Sequence, residues 1–254
     1  MIRVESERDQ VNVAKVSEAG QEQIFEYWDE IGADERSALL AQIDRLDFAE
    51  FTRLVRTHLT SDDTGPEPSQ HLAEFEPAPV IAIPETDAER AAYRRAIEVG
   101  QAALDAGEVG ILLVAGGQGT RLRFDGPKGK FPIGPISERT LFEYHAERIL
   151  ALKRRHKKAA PWFIMTSDTN HEETLEYFQE HQFFGLNSSD VYLRPQAMLP
   201  IVDPRRGKIL LRSKSELSLS PNGHGGAIAL LQSYREVVQK RGIKYVFTYQ
   251  VDNP

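Results

Sequence analysis

Between Ile111 and Phe131 the chain reads ILLVAGGQGTRLRFDGPKGKF, which combines dense glycine with two cations. Ile111 to Val114 reads as a buried strand, and Ala115, Gly116, Gly117 and Gly119 as the turn that leaves it. Arg121 and Lys128 then arrive within one short loop. Glycine permits positive φ and close backbone approach, so successive N–H groups can converge on an anion. Arginine and lysine beside such a loop point to phosphate, and to more than one phosphate.

Three nucleotide loops compete for this pattern. A Walker loop needs Gly-Lys followed by Ser or Thr, and neither Gly129-Lys130 nor Gly207-Lys208 satisfies it. The dinucleotide fingerprint needs a glycine three residues beyond Gly119, where Leu122 stands. A protein-kinase loop fails at the same place and lacks its HRD and DFG partners. What remains is A-G-G-x-G-T-R-L, followed after four residues by P-K-G.

The elements that must position this loop follow from periodicity. Helical spacing runs from Gln21 to about Leu59. Ile24, Phe25, Trp28 and Ile31 share one face of a first helix. Asp34 reads as the N-cap of a second with Leu39, Leu40, Ile43 and Leu46, and Asp47 opens a third with Phe48, Phe51, Leu54 and Val55. These helices are read as a layer on the main domain in preference to a partner-binding hairpin. A Pro-rich linker over 61–86 separates this segment, residues 1–60, from an α/β catalytic domain over 87–254.

Within that domain a helix spans Asp87 to Ala106, closed by Gly107. Thr140 and Glu143 form a capping box ahead of Phe142, Ala146 and Ile149. The basic run Lys153 to Lys158 ends that helix and is read as solvated charge favouring its dipole, not as a nucleic-acid patch. Strands are expected at Trp162–Thr166, Val191–Leu193 and Tyr245–Val251, and a hairpin around Pro204–Gly207. Helices are expected from a Thr169/Glu172 cap to His181 and over Gly226–Arg241. Alternation of this kind implies a mostly parallel sheet with helices on both faces, with ligands beyond the carboxyl ends of the strands.

Composition bounds the partners. The 254 residues are 41% hydrophobic and carry a formal net charge of −7. That balance argues against a nucleic-acid binder and leaves an anionic substrate to local cations. No apolar run reaches membrane-spanning length, and MIRVESERDQ has no secretory core, so the expectation is a cytoplasmic protein without a membrane partner. The absence of cysteine excludes thiol catalysis and leaves any metal to oxygen or histidine ligands.

The loop string, with FIMTS (Phe163–Ser167), QAMLP (Gln196–Pro200), SPNGHGG (Ser220–Gly226) and VDN (Val251–Asn253) in order, resembles the UDP-sugar pyrophosphorylases. AGQEQIFEYW near the start is similar to their N-acetylglucosamine branch. The resemblance implies an α/β, Rossmann-like fold preceded by an N-terminal helical segment. It also implies transfer of uridylyl from UTP to a sugar 1-phosphate, with Mg²⁺ as cofactor. Mapped onto this sequence, Ala115, Gly116 and Gly117 would approach base and ribose. Gly119 and Thr120 would wrap the phosphates. Arg121 would clamp the leaving pyrophosphate, and Lys128 would sit on the α-phosphate. Gln196 would pair with the uracil edge, Gly223 would lie against the base, His224 would meet the sugar, and Asp252 would hold Mg²⁺. Met165 and Ser167 would shape the pocket floor.

Three departures stand out. Arg123 follows Thr-Arg-Leu where the family usually has glycine. His224 stands where N-acetylglucosamine enzymes typically carry asparagine, which leaves glucose and broad-specificity branches open. Family members also continue well beyond Pro254, with more sheet, further sugar-binding residues and another phosphate-binding lysine, so the resemblance implies a partial sequence whose own activity is not expected. A parallel sheet cut after Val251 would expose an edge.

Overall fold

The computed structural model describes residues 2, 4, 6–59 and 76–253. Most of the expected linker, 61–75, and Pro254 therefore lie outside the described residues; 76–85 have no regular secondary structure. The chain forms two compact units.

The first unit holds the described residues up to Val80 together with Met198–Ser220. Its helix α1 (Glu7–Glu18) starts where Ser6 accepts a hydrogen bond from the Asp9 N–H, with Glu7 and Asp9 favouring the positive end of the dipole. This helix falls outside the expected span: its apolar positions are valines, which hold helices weakly. The helix expected to carry Ile24, Phe25, Trp28 and Ile31 is instead a 3₁₀ turn, Glu22–Phe25, followed by further turns, although all four side chains are buried. Side-chain amides explain the difference. Gln21 donates to the Gly207 carbonyl at 3.1 Å and accepts from the Ile209 N–H at 2.8 Å, and Gln23 donates to the Ile209 carbonyl at 3.1 Å. Those contacts hold the segment open in place of an i to i−4 ladder.

Helix α2 (Ala33–Asp44) is capped at Gly32, not Asp34. The Gly32 N–H donates to Glu35, and Asp34 sits in the first turn, where its charge favours the dipole. In α3 (Phe48–His58) Asp47 is the N-cap, as expected, accepting from the Glu50 N–H. Val16, Ile24, Trp28, Leu39, Ile43, Phe48 and Phe51 close a core with Ile209 and Leu217. The N-terminal helices thus share a core with 198–220, a stretch that the contiguous division 1–60, 61–86 and 87–254 assigns elsewhere.

The second unit holds Ile81–Ala197 and Pro221 onward. Helix α4 (Asp87–Ala106) is closed by Gly107 at φ 74°, and no residue of it is buried. The strand β1 (Val109–Val114) follows, and then the glycine loop. Helix α5 (Leu141–His156) begins at the expected Thr140/Glu143 capping box, β2 (Trp162–Thr166) is buried along its whole length, and α6 (His171–Glu180) follows. Asn170, not Thr169, occupies the N-cap of α6, and β3 spans Val191–Pro195.

The chain then contributes four short strands, β4 (Met198–Pro200), β5 (Leu211–Ser213), β6 (Glu216–Leu217) and β7 (Leu219–Pro221). β4 pairs with β7 and β5 with β6. The hairpin around 204–207 is present, closed by a Val202–Ile209 bridge and turned by Gly207 at φ 64°.

Afterwards come α7 (Gly226–Ser233), α8 (Arg235–Lys240) and β8 (Tyr245–Gln250). The single helix expected over Gly226–Arg241 breaks at Tyr234, whose hydroxyl donates to the Leu193 carbonyl at 3.1 Å.

The four long strands form a parallel sheet in the order β3-β2-β1-β8. Over β1 and β2 both faces are covered, which is why these two strands are continuous apolar runs, whereas β8 is largely exposed. Ile111, Leu113, Trp162 and Ile164 pack with Phe142, Ile149 and Phe178 from α5 and α6. Leu112, Phe163 and Met165 pack on the other side with Ala227 and Leu230 of α7. The fold is the expected α/β arrangement. No helix among the described residues is long and apolar enough to cross a membrane.

Candidate functional site

Parallel register brings the ends of the strands level. Val114 lies opposite Met165 and Gln250, and Thr166 opposite Pro195. The ladder runs one residue further: Ala115 N–H donates to Met165, Gln196 N–H to Thr166 and Val251 N–H to Val114, at 2.7, 2.9 and 3.0 Å. The loops leaving β1, β2, β3 and β8 therefore start together at one edge of the sheet.

Gly116 faces the third of these loops. A Cβ there would stand 2.8 Å from Gln196 Nε2 and 3.4 Å from the Ser167 Cβ, so glycine lets the amide lie against the loop backbone. Gly117 faces the cation: a Cβ there would be 3.7 Å from Lys128 Nζ, and Lys128 N–H donates to the Gly117 carbonyl. Gly119 closes the turn, its N–H on the Gly126 carbonyl and its Cβ position 2.8 Å from the Phe124 ring. Thr120 and Arg121 follow on an exposed 3₁₀ turn. Arg123, where the family pattern has glycine, adopts φ 55°.

Lys128 Nζ donates to Asp252 Oδ2 at 3.0 Å, joining the glycine loop to the end of β8. The ammonium holds the Asp252 carboxyl below its ordinary range, assisted by the Asp252 N–H. Met165 is buried at the Cβ position of Gly226, and Ser167 lies beside Gly116. Gly223 adopts φ 73° with nothing near its Cβ position, so its backbone, not crowding, selects glycine. His224 and Arg121 are exposed, and among the described residues neither pairs with Lys128, Gln196 or Asp252.

Two buried residues escaped the motif reading. Asn170 is 1% exposed; its Oδ1 accepts from the Ser167 N–H at 2.8 Å, and its Nδ2 donates to the carbonyls of Ala115 and Gly117 at 3.0 and 3.4 Å. Because a peptide is planar and trans, fixing those two carbonyls turns the N–H groups of Gly116 and Gln118 the opposite way. The sequence signal was available, since asparagine directly before a helical run is an N-cap type. His145 on α5 is also buried and touches the Val251 carbonyl. Its position on the apolar face of α5 gave no sign of that contact.

The family model of the UTP–glucose-1-phosphate uridylyltransferases matches residues 80–254. The chain belongs to that family. Among its relatives, the UDP-N-acetylglucosamine diphosphorylase 2 of Arabidopsis thaliana is 37% identical over 96% of this chain and 50% of its own length. The UDP-N-acetylglucosamine pyrophosphorylase of Saccharomyces cerevisiae is 33% identical over 93% of this chain and 51% of its own. The fold matches the crystal structure of the uridine diphosphate N-acetylglucosamine pyrophosphorylase from Trypanosoma brucei, with a TM-score of 0.76 and 26% identity. That match covers 99% of this chain and 53% of the other. The uridylyltransferase-family chain thus spans about half the length of the curated relatives it matches.

Proposed function

We propose that this chain serves a uridylyltransferase that makes a UDP-sugar and pyrophosphate from UTP and a sugar 1-phosphate, with N-acetylglucosamine 1-phosphate favoured. One observation carries the reading: the glycine loop meets an amide at Gln196 and a paired amine and carboxylate at Lys128 and Asp252, all at the carboxyl edge of one parallel sheet. The names of the relatives support the sugar.

In the reaction a sugar-phosphate oxygen attacks the α-phosphorus of UTP in line, and the bond to the pyrophosphate oxygen breaks. Little covalent work falls to the protein. Gln196 presents donor and acceptor to the uracil edge, with Gly116, Gly117 and Gly223 allowing close approach of base and ribose and Ala115 anchoring the loop. Gly119 and Thr120 follow the phosphates, Arg121 takes the leaving pyrophosphate, and His224 meets the sugar. Lys128 exchanges Asp252 for the α-phosphate, where charge builds.

Among the described residues no three His, Cys, Asp or Glu side chains are grouped to hold a metal. A single carboxylate still suits Mg²⁺ bound chiefly by phosphates and water, so Asp252 fits as its protein ligand. The ion would supply charge neutralisation at the phosphates. The proposal includes a cytoplasmic location, the expectation drawn from the sequence.

The test is pyrophosphate release by the whole protein from UTP, Mg²⁺ and N-acetylglucosamine 1-phosphate. Lys128→Ala should lower kcat/KM by about 100- to 1,000-fold, the usual cost of one lost charge-stabilising donor. Absence of release with every sugar phosphate tried sinks the proposal. Preference for glucose 1-phosphate would instead support the second reading, which the family description and His224 favour.

A further inference from the structure

His145 is 1% exposed and its Nε2 lies 2.9 Å from the Val251 carbonyl oxygen. A carbonyl only accepts, so Nε2 carries the proton and Nδ1 is a bare lone pair, without a partner among the described residues. Burial favours the neutral ring, and so does Arg148, which adds positive charge from the same helix; the Tyr249 ring packs on it with centroids 4.8 Å apart. Val251 N–H is already spent on the Val114 carbonyl, and Asn253 N–H closes a turn on the Gln250 carbonyl. The Val251 carbonyl of this turn is taken by His145. That carbonyl and the Asp252 N–H belong to one peptide plane, and the Asp252 N–H assists its own carboxylate. A polar chain thus runs from the imidazole through one peptide to the carboxylate that Lys128 meets at 3.0 Å.

We propose that His145 is a positioning residue: by holding the Val251 carbonyl it sets the direction in which Asp252 presents its carboxylate to Lys128 and to a nucleotide-bound divalent ion. The ion part rests on the function proposed above; the Lys128 part does not. Partners that orient a metal ligand are commonly worth 10- to 100-fold in metal affinity, without touching the metal.

The test compares wild type, His145→Leu and His145→Gln, whose amide can donate to the same carbonyl. In ligand-free protein, the rate of Lys128 acetylation is followed by mass spectrometry, with Asp252→Asn as the unshielded reference. His145→Leu should approach that reference, and His145→Gln should stay near wild type. In parallel, UTP affinity is measured by calorimetry with and without Mn²⁺. His145→Leu should lose about 10-fold of the Mn²⁺-dependent gain while metal-free affinity holds, and His145→Gln should restore the gain. An unchanged Lys128 rate in His145→Leu, or equal damage in both variants at equal melting temperature, overturns the inference. If wild type gains nothing from Mn²⁺ while the acetylation pattern holds, the Asp252 metal reading has failed and the positioning of Asp252 on Lys128 stands.

Discussion

Two glycines of the same loop are constrained by different things. At Gly129 a Cβ would stand 2.1 Å from the buried Phe142 ring, which packs among Tyr177 and Phe178 and has nowhere to go. Gly129→Ala should therefore cost about 3 kcal/mol, the upper range for overpacking, read as a fall in denaturation midpoint. At Gly116 the obstructing atom is the far end of Gln196, which can swing away. Gly116→Ala should change stability by less than about 1 kcal/mol and yet weaken UTP binding, because the amide it displaces is the proposed base reader. Arg123 is the converse case. Its φ of 55° is a conformation that a side chain disfavours, so Arg123→Gly should stabilise by roughly 1 kcal/mol. The loop glycines were legible in the sequence, since their chemistry is local. The Lys128–Asp252 pair was not, because 124 residues separate its members and only the parallel register brings them together.

Helices and strands were legible where both local and periodic signals agreed. The Thr140/Glu143 box, Gly107 at the end of α4 and the apolar runs of β1 and β2 all appear where expected. Two of the misplaced boundaries share one cause: a polar side chain spends its hydrogen bonds across the fold. Gln21 does so near the start, and Tyr234 does so where it splits α7 from α8. Helix α5 also carries a pH dependence through His145. Burial pushes its imidazole below the ordinary value of about 6.5. The unfolded chain then binds the proton that the folded state refuses, so stability is lost as pH falls below the unfolded value. Urea midpoints of wild type should decline from pH 7 to pH 5 more steeply than those of His145→Gln.

At the scale of the molecule, each unit has its own tryptophan: Trp28 in the core of the first and Trp162 in the sheet of the second. Trp28→Phe and Trp162→Phe variants therefore give separate fluorescence reports of unfolding. Gln21→Leu strands the Ile209 N–H and should lower the Trp28-reported stability by about 1–3 kcal/mol. UTP should raise the midpoint reported by Trp162, because a ligand stabilises the unit that binds it. The α/β class and the parallel sheet could be read from alternation, whereas the membership of 198–220 in the first unit could not. Its short strands are hairpin-like, and nothing local says which core they complete.

That membership has a consequence for synthesis. The backbone of Ile209 that Gln21 requires leaves the ribosome 188 residues after Gln21 itself. At ordinary elongation rates of roughly 5–20 residues per second, the delay is roughly 10–40 s. During it, the entire sheet unit up to β3 is made while the apolar faces of α2 and α3 lack Ile209 and Leu217. Ribosome-bound chains stalled before residue 198 should cross-link to a chaperone through the surface around Leu39 and Ile43, and chains stalled well after 220 should not. The first unit in sequence waits for residues 81–197 of the second to be made before it can close.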